Sequence, residues 1–132
     1  MSRLALIVED SETCAETLQI ALELIDGLEV RVVQSPRAAI ATLKETNGVG
    51  GLEIAAIITD LHLPKSDGLE LIRQLRAEPR FAKLPILLIS GDSDPQLPAR
   101  ALANGADAFF AKPYSPAAVR RRLEQLLCSN VS

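Results

Sequence analysis

The sequence predicts an α/β fold in which five parallel strands form one sheet, with helices covering both faces. Short apolar runs of strand length alternate five times with segments of helical periodicity along the 132 residues. Most of these runs lack a regular polar alternation, as is typical of strands buried on both faces. Strands that alternate with helices form a parallel sheet.

The composition agrees with one domain over residues 1–132, whose core we place at about residues 4–127. Hydrophobic residues make up 48% of the chain and aromatic residues 3%, so the core must be mostly aliphatic. The net charge of −3 argues against a domain that binds nucleic acid through its phosphates. No segment resembles a signal peptide or reaches transmembrane length, so we expect a cytoplasmic protein without membrane contact.

The first strand and helix are predicted from Leu4–Val8 and from a periodic segment that begins near Ser11 and stops at Gly27. The apolar positions of this helix share one face. They are Cys14, Leu18, Leu22 and Ile25. Two cysteines, Cys14 and Cys128, are too few for a disulfide framework and lack metal-site spacing, so we expect Cys14 to be a small core residue.

The second strand is predicted at the valine-rich segment Leu28–Val33. Ser35 should cap a helix that Pro36 opens. Its inner stripe consists of Ala39, Ile40 and Leu43. A glycine-rich loop at Asn47–Gly51 then leads to the third strand.

The third strand is predicted at Ile54–Thr59, where five of six residues are apolar, and Asp60 follows at the point where the strand leaves the core. Pro64 cannot continue a strand ladder. A single aspartate here could equally cap a loop or a helix. The role of Asp60 therefore depends on what the other strands place beside it.

The third helix should be capped by Asp67 and end at Glu78-Pro79. Its buried face is expected at Leu69, Ile72 and Leu75. The fourth strand is predicted at Leu84–Ile89, followed by Ser90 and Gly91.

The fourth helix is predicted from about Pro95 to Asn104, with Gly105 as its stop. Pro98 fits the first turns only if this helix begins late. Asp107–Ala111 predicts the fifth strand.

The last helix is predicted at Pro116–Leu127. Its inward residues are Val119, Leu123, Leu126 and Leu127, whereas Arg120, Arg121 and Arg122 mostly face outward. With right-handed crossovers, the simplest sheet that has two helices on one face and three on the other has the strand order 2-1-3-4-5. This is the flavodoxin-like arrangement, whose topological switch lies between the first and third strands.

Charged and polar residues follow four of the five strands at one edge of this sheet. They are Glu9, Asp10, Asp60, Ser90 and Lys112. Two like charges about 4 Å apart repel by roughly 1 kcal/mol in water and roughly 4 kcal/mol at an effective dielectric of about 20. Three carboxylates therefore need neutralisation, which Lys112 and a hard divalent cation such as Mg²⁺ would supply.

With these residues the chain resembles a response-regulator receiver domain, the phosphoacceptor module of two-component signalling. The resemblance extends from Leu4 to about Leu127. The motifs that carry it are Val8-Glu9-Asp10, Thr59–Pro64 with Asp67-Gly68, Ser90-Gly91, Ala101–Asp107 and Phe109–Pro113.

The resemblance implies that Asp60 accepts a phosphoryl group from a histidine kinase, a phosphotransfer protein or a small phosphodonor. It implies a magnesium site in which Asp10 binds directly, Glu9 binds through water, and Asp60 and the backbone carbonyl of His62 complete the protein ligands. Lys112 would contact a phosphoryl oxygen. Phosphoryl transfer depends mainly on positioning and charge neutralisation, which this set of residues could provide.

The resemblance also implies a switch in which Ser90 moves to hydrogen-bond the phosphoryl group and Phe109 turns inward. Three residues depart from the commonest family pattern: Glu9 replaces Asp, Ser90 replaces Thr and Phe109 replaces Tyr. The Lys112-Pro113 bond resembles the cis peptide of the family. The fourth helix and fifth strand would form the output face. Together with the fifth helix they would form a homodimer surface.

His62, the only histidine, has three competing interpretations. It could be a phosphorylated histidine, a side-chain metal ligand, or a loop residue whose carbonyl binds metal and whose side chain tunes dephosphorylation. We favour the third, because His62 follows a buried strand and an imidazole is a poor magnesium ligand.

The predicted function is a phosphorylation switch and not a turnover enzyme. One rival is a degenerate receiver that binds a partner without phosphorylation. Another is a magnesium-dependent phosphohydrolase, which generally needs a second acid where this chain has His62. An FMN-binding flavodoxin would need a Ser/Thr/Gly-rich phosphate loop after the first strand. The output stays open between a stand-alone receiver and part of a larger regulator or hybrid kinase.

Overall fold

The computed structural model describes residues 3–45, 53–63 and 66–129, which form the predicted α/β fold. The sheet contains five parallel strands, β1 (Arg3–Val8), β2 (Leu28–Val33), β3 (Glu53–Asp60), β4 (Ile86–Ser90) and β5 (Ala108–Ala111). Their order is β2-β1-β3-β4-β5, so the predicted flavodoxin-like order is confirmed.

Five α-helices connect and follow the strands: α1 (Glu12–Leu22), α2 (Pro36–Glu45), α3 (Gly68–Arg76), α4 (Leu97–Ala103) and α5 (Pro116–Ser129). A 3-10 turn at Pro79–Phe81 follows α3. No helix among these described segments is both long and apolar enough to cross a lipid bilayer.

A two-residue antiparallel pair, which the sequence analysis did not predict, lies between β3 and α3. His62 pairs with Asp67, and Leu63 pairs with Ser66. The predicted Asn47–Gly51 loop and the proposed strand stop at Pro64 fall outside the described residues. The short pair brings the end of β3 back towards the start of α3.

The two predicted helix caps, Ser35 and Asp67, are confirmed, and Ser11 caps α1 in the same way. The Ser11 hydroxyl accepts a hydrogen bond from the Cys14 amide at 3.4 Å, and the Ser35 hydroxyl accepts one from the Ala38 amide at 3.1 Å. The Asp67 carboxylate accepts one from the Glu70 amide at 2.7 Å. Each side chain satisfies an amide that has no partner within the first helical turn.

The end of α1 differs from the prediction. The helix stops at Leu22, and turn residues lead from there to Gly27, whose φ of +76° is favourable only for glycine. Cys14 is half-buried, because Ala15 takes the core position in the first turn. The expectation that Cys14 is a core residue was therefore wrong.

The start of α4 also differs from the prediction. The helix begins at Leu97, so Pro95 lies in the preceding turn and Pro98 occupies the first turn. A proline is tolerated there because the first amides of a helix have no intrahelical partner. The late start satisfies the condition that the sequence placed on Pro98.

Two apolar clusters cover the two faces of the sheet. Successive residues of β1 point to opposite sides, so that Leu6 joins one cluster and Ile7 the other. The first cluster includes residues of α2, α3 and α4, and the second includes residues of α1 and α5. This packing fixes the strand ends that carry the polar residues.

Candidate phosphoacceptor site

The ammonium group of Lys112 holds two buried carboxylates at the carboxyl edge of the sheet. Its Nζ atom lies 2.8 Å from Oδ2 of Asp60 and 3.0 Å from Oε1 of Glu9. Glu9 is 2% exposed and Asp60 5% exposed, whereas the side chain of Lys112 is 25% exposed. Three strand ends that are distant in sequence thus meet at one cation.

Asp60 is the last residue of β3, and two neighbouring residues restrict the position of its backbone carbonyl. Its carbonyl accepts a hydrogen bond from the Thr59 hydroxyl at 3.0 Å. The first residue of α3, Gly68, packs so closely that an added Cβ would collide with this carbonyl. The second carboxylate oxygen, Oδ1, accepts a hydrogen bond from the His62 amide at 3.3 Å.

Glu9, Asp10 and Asp60 form a candidate metal centre. Each offers a carboxylate oxygen, and the three oxygens lie within 4.8 Å of one another. Glu9 and Asp60 are buried and Asp10 is exposed, so the cluster opens to solvent on one side. An all-oxygen donor set of this charge fits Mg²⁺, which keeps several waters when bound.

Burial and charge shift the ionisation of this cluster. Burial is the main reason that the pKa of Glu9 lies above its ordinary value, and the neighbouring Asp60 adds to the effect. Burial works against the charge of Lys112, but its hydrogen bonds to Asp60 and Glu9 outweigh this and raise its pKa. The lysine therefore remains a cation at neutral pH.

Ser90 is fully buried at the end of β4, beside the strand that carries Asp60. Its hydroxyl accepts a hydrogen bond from the Asp92 amide at 2.9 Å, and its carbonyl accepts one from the Lys112 amide at 2.8 Å. The serine is thus positioned by two of the loops that border the site.

The peptide bond that follows the lysine, Lys112-Pro113, is cis, like the one in the family that the chain resembles. Phe109 lies three residues earlier on β5, opposite Leu88 of β4, and is half-buried. It packs against the cluster that contains Leu97 and Ala101 of α4. An aromatic ring there connects the site strand to the predicted output face.

The sequence did not predict a side-chain contact between His62 and Asp92. The Nε2 atom of His62 lies 3.2 Å from Oδ2 of Asp92, and the side chains are 68% and 38% exposed. Only the strand order places these residues together, because 30 positions separate them in the chain. The pKa of Asp92 is lowered, first by a hydrogen bond from the Asp94 amide and then by the one with His62.

Comparisons with known proteins agree with this geometry. Residues 5–124 match the family model of the response regulator receiver domain. Chemotaxis protein CheY1 of Helicobacter pylori (strain J99) is 26% identical over 125 residues, which are 95% of this chain and 97% of that protein.

Two solved structures resemble the fold. The signal receiver domain of a signal transduction histidine kinase from Syntrophus aciditrophicus has a TM-score of 0.83 and 34% identity, covering 97% of this chain and 92% of that one. The chemotaxis response regulator CheY4 of Vibrio cholerae has a TM-score of 0.80 and 23% identity, covering 96% and 99%. The second likeness concerns the fold alone.

Proposed function

The chain belongs to the response regulator receiver domain family of two-component signalling, and we propose that Asp60 is the residue that accepts its phosphoryl group. One observation carries this assignment. Lys112 holds one oxygen of a buried Asp60 carboxylate at 2.8 Å, at the sheet edge where Glu9 and Asp10 also lie. A carboxylate held in this way is a nucleophile with its counter-charge in place.

In the proposed reaction, a carboxylate oxygen of Asp60 forms a bond to phosphorus as the donor's bond to phosphorus breaks. With a phosphohistidine donor, the bond that breaks is P–N, and the electron pair leaves with the imidazole. With an acyl phosphate, it is P–O. The product is an acyl phosphate on Asp60.

Glu9, Asp10, Asp60 and the carbonyl of His62 would hold Mg²⁺, which when bound neutralises charge on the phosphoryl oxygens. Lys112 would neutralise further charge and keeps Asp60 in place. The three acidic residues supply ligands of the type that magnesium prefers.

Ser90 and Phe109 would form the switch. The Ser90 hydroxyl is in the neighbouring strand end and would turn to donate to a phosphoryl oxygen. Phe109 packs against the α4 cluster, so a rotation of its ring would alter the surface of α4 and β5. Moving a two-state equilibrium from 1:99 to 99:1 takes about 5.5 kcal/mol, which a few charge-assisted hydrogen bonds can supply.

Receiver domains are signalling domains that exchange phosphoryl groups with histidine kinases or phosphotransfer proteins, and such a protein is the expected partner. The chain would assist its own phosphorylation and dephosphorylation without other turnover. A homodimer through α4, β5 and α5 and a cytoplasmic location both stay predictions, as does the absence of nucleic-acid and membrane binding.

The test is incubation with magnesium and acetyl phosphate, followed by intact-mass measurement, for the wild type, Asp60→Asn and the exposed control Asp26→Asn. We expect one added phosphoryl group on the wild type and on the control, and none on Asp60→Asn. Unmodified wild type that also fails to bind beryllofluoride would indicate a degenerate receiver. Sustained release of phosphate from phosphate esters would indicate the phosphohydrolase.

A further inference from the structure

A groove of about 360 Å³ lies where the carboxyl-terminal ends of α2 and α3 meet the 3-10 turn at Pro79–Phe81. It is at the far end of α3 from Gly68, the residue that packs against the carbonyl of Asp60. The groove is therefore separate from the phosphoacceptor site, and the proposed reaction makes no use of it.

The floor of the groove is apolar. Leu43, Leu75 and Phe81 line it and are at most 7% exposed, and the partly buried Ile40 packs against the same core cluster. The volume is at the lower end of the range for small-molecule sites, about 300–1,000 Å³. At about 30 Å³ for each non-hydrogen atom, it holds a molecule of roughly twelve such atoms.

Arg80 supplies a polar anchor at the edge of this floor. Its Cζ atom lies 4.6 Å from the centre of the Phe81 ring, and both residues line the groove. Within the described segments, its guanidinium forms no hydrogen bond or ion pair with another residue. Stacking on a ring orients a guanidinium but leaves the N–H donors in its plane available, and that planar fork matches a carboxylate.

The other charges around the groove leave Arg80 without a counter-ion. Lys44, in the last turn of α2, also lines the groove and offsets the partial negative charge of that helix end. Arg73 and Arg76 offset the end of α3. Glu78 is exposed on the rim and forms no ion pair with a described residue. The two lining cations exceed this acid by one charge, which one carboxylate would balance.

From these features we infer that the groove binds a small molecule that has an apolar chain or ring and one carboxylate. The apolar part lies on Leu43, Leu75 and Phe81, and the carboxylate accepts hydrogen bonds from Arg80. This binding site goes beyond the proposed function and does not depend on it, because no residue of the phosphoacceptor site lines the groove.

The test is a titration of the isotope-labelled full chain with phenylbutyrate, followed by the amide resonances of the lining residues. We expect saturable shifts at Leu43, Leu75, Ala77 and Phe81, with a dissociation constant on the order of 1 mM for a ligand of this size. Phenylbutyramide has the same shape without the charge and should bind about fivefold more weakly. Acetate, which lacks the ring, and the cationic phenylbutylamine should produce no saturable shift.

Four variants locate the ligand. Arg80→Gln should weaken phenylbutyrate binding about fivefold without altering phenylbutyramide binding, and Lys44→Gln should weaken the former about twofold. Ala77→Leu, at an exposed lining residue, fills the groove and should abolish the binding of both probes while the spectrum stays that of a folded protein. The matched control is Arg37→Gln, at an exposed arginine of α2 that is not a lining residue.

Equal affinities for phenylbutyrate and phenylbutyramide in the wild type would overturn the inference, as would an Arg80→Gln variant that binds phenylbutyrate like the wild type. Shifts spread over the whole chain without saturation would show an adventitious additive only. If the lining resonances instead change with protein concentration when no probe is present, a second copy of the chain covers the groove, and the inference is wrong.

Discussion

The Nζ atom of Lys112 lies 2.8 Å from Oδ2 of Asp60, although 52 residues separate them in the chain. The same atom is 3.0 Å from Oε1 of Glu9, so one ammonium group offsets the mutual repulsion of two buried carboxylates. The resting fold depends on this lysine before any phosphoryl group arrives.

Lys112→Met should destabilise the metal-free protein by about 1–3 kcal/mol, because two buried carboxylates lose a donor. Magnesium should restore part of the loss, since a divalent cation replaces the missing charge. Chemical denaturation with and without magnesium measures both effects. The matched control is Lys44→Met, at an exposed lysine of α2. Equal stability of the two variants would show that Lys112 does not neutralise the cluster.

We predict that the stability of the fold depends on pH through Glu9, and the sign of this dependence follows from its raised pKa. A carboxyl whose pKa is higher in the folded state stabilises the fold below the unfolded pKa, near 4.5, and that contribution is lost as the pH rises through the folded pKa. The free energy of unfolding of metal-free protein should therefore fall across this window, by about 1.4 kcal/mol for each unit of pKa difference.

Glu9→Gln should remove this fall, because its amide oxygen can still accept from Lys112 but carries no proton equilibrium. The variant should also bind magnesium more weakly. Denaturation between pH 4 and pH 8 in chelator provides the measurement, with the exposed Glu16→Gln as the control. A wild type whose stability rises throughout this range relative to Glu9→Gln would contradict the predicted direction.

Gly68→Ala should destabilise the fold by about 1–3 kcal/mol, because the new methyl group has no space beside the carbonyl of Asp60. It should also reduce the rate of phosphorylation by displacing the end of β3. Gly91→Ala is a close control, since its Cβ would make only ordinary contacts with Lys112, the nearest at 3.8 Å. Similar losses at both glycines would indicate a general intolerance of alanine in these loops.

Arg76 should be a major stabilising residue away from the site. Its guanidinium donates to the carbonyls of Phe81 at 2.7 Å and Gly105 at 3.0 Å, and it pairs with Asp107 at 3.0 Å. Asp107 in turn accepts from the Ile86 amide at 2.9 Å. One side chain thus joins the end of α3 to the segments that enter β4 and β5.

Arg76→Met should therefore cost about 2–3 kcal/mol in thermal or chemical denaturation, because these acceptors lose a charged donor. Arg73→Met, at an exposed arginine whose guanidinium bonds to the Asn104 side chain, should change the stability by about 0.5 kcal/mol or less. A small effect of Arg76→Met would mean that water replaces the hydrogen bonds of Arg76 without a loss of stability.

The strands, the helix caps and the edge that carries Glu9, Asp60 and Lys112 were predictable, because they depend on local signals. A buried parallel strand is a continuous apolar run, and the residue after it must lie at the carboxyl edge. The end of α1 was not predictable in the same way. Ile25 continues the apolar periodicity of α1 and is buried. It lies, however, in the turn that follows the last helical residue, Leu22.

The contacts between loops could not be predicted from the chain. His62 and Asp92 lie in segments without periodicity, and Arg76 ends a helix whose periodicity says nothing of its partner Asp107, so nothing local pairs them. Their partners follow from which strands are neighbours and from how far each loop extends. Local physical chemistry is written along the chain, so the sequence determined the fold class and the set of reactive groups. Residues that are distant in sequence come within a few ångström of one another only when the sheet is assembled. The tertiary structure therefore decided which groups are bonded to one another and in what orientation.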